Sequence, residues 1–167
     1  MRRKNLYVME VDVYKASLYL SPDALSRSKA VFLSDSNTSL ANAIMKPTKN
    51  DGCKAAVTLR FVRDVGKEKI VDAFNDAFSE LDQTDVKAFK TALANTLGDG
   101  GLKVGEEIAF FWTLDGLYIT KNSVLGDKFK SASADAVETR LLEVYVDPRR
   151  AVSPELIKSI KERVTSV

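Results

Sequence analysis

Between Glu106 and Lys121 two apolar runs, Ile108-Ala109-Phe110-Phe111-Trp112 and Leu117-Tyr118-Ile119, flank the dipeptide Asp115-Gly116. A turn dipeptide that tolerates positive φ, set between β-branched and aromatic runs, is the strongest short-range hairpin signal a sequence carries. It commits this part of the chain to antiparallel sheet. The alternation places Phe110 and Trp112 on one face and Phe111 and Thr113 on the other. Val124-Leu125-Gly126 reads as a further short edge strand.

Two more stretches alternate with period two. Leu6 to Leu20 puts Tyr7, Met9, Val11 and Val13 on one side and Leu6, Val8, Glu10, Asp12 and Tyr14 on the other. Ala55 to Val62 places Val57, Leu59 and Phe61 opposite Thr58, Arg60 and Val62. Between them Ser21-Pro22-Asp23 opens a short helix, since proline fits the first helical turn. Val31-Phe32-Leu33 reads as extended and Thr38 to Met45 as a second short helix. After Asp64-Val65-Gly66, helical spacing of Ile70, Phe74, Ala77, Phe78 and Leu81 predicts an amphipathic helix. Thr84 then caps a helix burying Val86, Phe89, Leu93 and Leu97, stopped at Gly98. Ser131 or Ser133 starts a helix bearing Val137, Leu141, Val144 and Tyr145 that ends at Pro148. Ser153-Pro154-Glu155 opens the last, with Leu156, Ile157, Ile160 and Val164 inward. The expected plan is α+β: one antiparallel sheet with helices gathered on one face.

Composition narrows the chemistry. At 167 residues, a single domain spanning 1–167 buries roughly 70% of its unfolded surface without staples. Lys and Arg total 25 against 23 acidic residues, a balance that argues against a nucleic-acid partner. The chain has no histidine, which removes His-based nucleophilic triads, histidine zinc sites and histidine-ligated haem. Cys53 is the one cysteine, so no internal disulfide forms, and its position after the polar loop Lys49-Asn50-Asp51-Gly52 marks a bland thiol. No apolar run approaches the ~20 residues of a transmembrane helix. The chain enters its first strand directly after Met1-Arg2-Arg3, without a targeting segment. That fits a cytoplasmic protein, a plastid protein, or one whose presequence and first strand are missing.

Five stretches taken in order, VDVYKASLYL (11–20), VTLRFVRDVGKEKI (57–70), VGEEIAFFWTLDGLYITKN (104–122), VLGDKF (124–129) and AVSPELIKSI (151–160), resemble the chalcone isomerase fold family. The resemblance implies an open-faced β-sandwich: an antiparallel sheet, a helical layer on one face and a ligand cleft between them. It places Arg2, with Arg3 as its substitute, and Tyr14 where the fatty-acid-binding branch holds a carboxylate. The position of the enzymes' catalytic Tyr falls on Gly66 and that of their Asn on Ala73. Their Thr-Met pair falls on Val144 and Tyr145. The resemblance therefore implies no chalcone-cyclising residue, no metal and no cofactor. It implies instead a cleft that takes a fatty acid or another small apolar carboxylate, with Arg2, Arg3, Tyr14, Val144 and Tyr145 as binding residues.

Physical chemistry supports that pairing. A guanidinium receives a carboxylate bidentately, and a phenol from a neighbouring strand adds a third donor. Glu10 and Asp12, expected on the same face as Tyr14, read as solvated sheet surface unless a bulge re-aims them. Two other readings remain: a chalcone–flavanone isomerase with rearranged catalytic groups, and a ligand-free regulator that binds a protein partner.

Overall fold

A computed structural model describes residues 13–33, 39–46, 52–133 and 135–147, with helical residues at 158, 159, 161 and 162. Five strands form one antiparallel sheet in the order β1-β2-β3-β4-β5. They are β1 (Tyr14–Leu20), β2 (Cys53–Phe61), β3 (Glu107–Thr113), β4 (Gly116–Lys121) and β5 (Val124–Phe129). Besides those C-terminal helical residues, the helices are α1 (Pro22–Leu33), α2 (Leu40–Met45), α3 (Lys67–Asp72), α4 (Gln83–Leu97) and α5 (Ala136–Val146).

Register explains why one face is core. Leu18 pairs with Val57, Val57 with Phe110, and Phe110 with Ile119. The next row runs Leu20, Ala55, Trp112, Leu117 and Phe129. Both rows join residues from α1 to α5 in one apolar cluster. The opposite face carries Lys15, Ser17, Tyr19, Arg60 and Lys128, all exposed, and its buried Ala56 and Ala109 lie outside that cluster. The expected α+β plan is what the chain forms.

Over β3 to β5 the core is aromatic. Phe89 of α4 meets Phe78 edge-on at 5.3 Å, Phe74 at 5.7 Å and Phe129 at 5.6 Å between ring centroids. Edge-to-face rings add attraction beyond their buried area because positive ring edges meet negative faces.

Several local expectations are corrected. Val31-Phe32-Leu33 is the last turn of α1, because a three-residue apolar run reads equally as strand or helix. Regular helix after Gly66 ends at Asp72, although Phe74, Ala77 and Phe78 remain buried. The carbonyl of Ala77, which a continuing helix would offer to Leu81, accepts instead from Arg140 Nη1 at 2.9 Å. The Leu81 amide turns to Phe78 O. Asp82, not Thr84, caps α4, accepting from the Thr84 and Asp85 amides. In the hairpin Thr113 pairs with Gly116, so the loop is Leu114-Asp115 rather than Asp115-Gly116. Gly116 follows it at φ 131°, where a Cβ would stand 2.6 Å from Phe129 O. The next hairpin turns through Asn122 and Ser123, both at positive φ, the I′ pattern that matches strand twist. The helix expected from Ser131 or Ser133 begins at Ala136, preceded by Asp135 at φ 58°. The expected strand from Leu6 to Asp12 and the inward residues of the final helix lie outside the described residues.

Candidate functional site

On the inward side β1 differs from its neighbours. Tyr14, Ala16, Leu18 and Leu20 point to the core yet stay half-buried. Their β2 partners Phe61, Leu59, Val57 and Ala55 are at most 4% exposed. Leu25 and Phe32 of α1 and Met45 of α2 are likewise only partly covered while packing on the same cluster. The result is an apolar strip along one side of the sheet, covered less completely than the aromatic core under α4. Such half-covered apolar surface beside a few polar groups is the raw material of a ligand cleft.

Tyr14 stands at the first position of β1, its ring 5.6 Å from Phe61. It shares the inward face with the apolar strip, whereas the sequence reading groups it with Glu10 and Asp12 on a side read as solvated. Val144 and Tyr145 lie on α5, 2% and 1% exposed, in the same core cluster that Tyr14 packs against. Arg2 and Arg3, and with them Glu10 and Asp12, lie outside the described residues. Tyr14 thus lies at a partly covered edge of the core, while Val144 and Tyr145 are buried within it. Gly66 caps α3 and Ala73 follows its last turn; neither side chain carries a proton donor.

The polar framing came from residues that the sequence did not single out. Arg27 donates to Ala43 O at 2.7 Å through Nε and to Ile44 O at 3.0 Å through Nη2. Lys54, only 4% exposed, donates from Nζ to Met45 O at 3.0 Å. Two cations thereby satisfy the final carbonyls of α2, whose dipole favours positive charge at that end. The donors lie 9 to 17 residues away in sequence, so no local motif announces the arrangement.

Beyond the strip, a surface hollow of about 510 Å³ is lined by residues of α4 and β5. Its walls include Lys87, Lys130, Thr84, Thr91 and Asp127. Lys130 is engaged by Asp135 at 3.0 Å, and Asp127 accepts from Asn95 at 3.0 Å. Among the described residues no group of three or more Cys, Asp or Glu is placed to hold a metal ion. Among them, too, no helix is long and apolar enough to cross a membrane.

No family model matches this chain, and no curated protein matches it.

Proposed function

We propose that this chain is a non-catalytic chalcone isomerase-like protein that holds a fatty acid, or a similar small carboxylate lipid, between its sheet and helices. The observation that carries the reading is the inward face of β1: four core-facing side chains left half-covered beside fully buried partners. An acyl chain laid along Ala16, Leu18 and Leu20 would remove that surface from water, at roughly 25 cal/mol per Å². In this reading Tyr14, at the head of the same strand, donates its phenol to the headgroup. Arg2 or Arg3 supplies the guanidinium in this reading. Gly66 and Ala73, where the resemblance puts the enzymes' Tyr and Asn, leave no group to polarise a chalcone ketone.

Titration with long-chain fatty acids tests the proposal. Saturable binding is expected, weakened about tenfold or more by the double substitution Arg2→Ala, Arg3→Ala, the scale of a lost charge-assisted hydrogen bond. Affinity unchanged in that variant removes the arginine anchor. Turnover of a chalcone above the spontaneous rate would instead favour the isomerase reading. Absence of any lipid binding would favour the partner-binding regulator.

A further inference from the structure

We propose that residues 131–133 form a latch, held by Asp85 and Glu138 and released by acid at Asp85, that fixes α5 against the sheet. Three consecutive amides of this β5–α5 connection are each taken by a carboxylate. Ser131 N donates to Glu138 Oε2 at 3.1 Å, Ala132 N to Asp85 Oδ1 at 3.1 Å, and Ser133 N to Asp85 Oδ2 at 3.2 Å. Ser131 Oγ donates to Glu138 Oε1 and accepts from Val137 N at 3.2 Å. Asp85 belongs to α4 and Glu138 to α5, so a few atoms join two helices and the end of β5. The main-chain carbonyl of Glu138 accepts from Trp112 Nε1 at 2.8 Å, which seats the first turn of α5 on β3.

Asp85 and Glu138 are 5% and 2% exposed. On α4, Asp82 and Lys87 lie close to Asp85 in sequence. At the latch itself Lys130 is bonded to Asp135 at 3.0 Å. On α5, Arg140 pairs with Glu143 at 3.3 Å and lies 4.0 Å from Glu80. Among the described residues neither latch carboxylate has a cation within ion-pair distance. The Ala132 and Ser133 amides hold Asp85, and such donors favour its ionised form. Protonation of Asp85 turns an acceptor oxygen into a donor facing an amide N–H, and the latch opens. Val144 and Tyr145 ride on α5, so opening it loosens the binding space. That last consequence rests on the lipid-binding reading; the latch itself does not.

Trp112 is the only tryptophan, so its emission reports the seating of α5 directly. The experiment is an acid titration of the full chain, followed by Trp112 fluorescence and far-ultraviolet circular dichroism, for the wild type, Glu138→Gln and Asp85→Asn. The expected result is a red shift of Trp112 emission at higher pH than the loss of helix signal. Asp85→Asn, whose amide nitrogen would face a second donor, should show the red shift already at neutral pH with its helix signal kept. Should that variant not fold, Glu138→Gln decides: its amide keeps an acceptor for Ser131 N and a donor for Ser131 Oγ, so its Trp112 midpoint should stay at the wild-type pH, and a shifted midpoint would overturn release at Asp85. Coincident fluorescence and helix transitions in wild type and Asp85→Asn alike would overturn the latch. A fluorescent fatty acid added in parallel should lose affinity across the Trp112 transition. If it binds at no pH while Trp112 still responds, the lipid-binding reading falls and the latch stands.

Discussion

Phe89 on α4 stands edge-on to Phe129 at the end of β5, ring centroids 5.6 Å apart and planes at 87°. Phe89 also touches Phe74, Phe78 and Phe110, so one side chain joins a helix, an irregular turn and two strands. Truncation to alanine leaves a cavity that its ring-shaped surroundings cannot collapse to fill. Phe89→Ala should cost about 3–5 kcal/mol and Phe89→Leu under about 1.5 kcal/mol, read from urea midpoints. Near-equal costs for the two would show that the aromatic packing is loose.

Gly126 lets β5 approach α4 closely. A Cβ there would stand 2.2 Å from Thr96 Oγ1 and 2.7 Å from Thr96 Cβ. Thr96 Oγ1 also accepts from Asp127 N at 3.1 Å, so the helix protects a backbone donor of an edge strand. Gly126→Ala should destabilise by about 1–3 kcal/mol, the usual cost of overpacking. It should also speed hydrogen exchange at Asp127 without changing exchange in β2 and β3.

Two carboxylates shape the acid side of the stability curve. The Ala132 amide, chiefly, holds Asp85 below the ordinary aspartate value of 3.8, against the opposing effect of burial. The Lys103 amide and then the Asn122 side chain hold Glu106 below the ordinary glutamate value of 4.5. A folded-state value below the unfolded one means that the unfolded chain binds more protons in that window, so stability rises with pH there. The contribution is complete above 4.5 for Glu106 and above 3.8 for Asp85, and is lost as pH falls through their lowered values. Asp85→Asn and Glu106→Gln should each flatten the acid limb of a midpoint-against-pH plot. An acid limb as steep as wild type in both would show that other groups set it.

Tyr14→Phe keeps the ring beside Phe61 and removes only the hydroxyl. If the phenol meets a lipid carboxylate, affinity for a long-chain fatty acid should fall about tenfold, with little change in affinity for the matching alcohol. An equal loss for acid and alcohol would assign Tyr14 to packing alone.

Periodicity alone specified most of the sheet. Alternation in Val57, Leu59 and Phe61, and in Phe110 and Trp112, named the core faces correctly because a strand's side-chain period is fixed by backbone geometry. Helical spacing likewise named Val86, Phe89, Leu93 and Leu97 as the buried stripe of α4. What local pattern did not determine was where elements stop and how they are tied. Val31 to Leu33 joined a helix, Ala77 surrendered its carbonyl to Arg140, and Ser131 became a docking point for Glu138. Each outcome depends on a partner distant in sequence, 63 residues away for Arg140 and Ala77. The half-covered face of β1 belongs to the same class: the alternation read from Leu6 put Tyr14 with Glu10 and Asp12 on a mixed side, and its inward turn and incomplete cover depend on how helices lie across the sheet. Backbone period is local and so is written in the chain; exposure and hydrogen-bond partnership are settled only when remote segments meet.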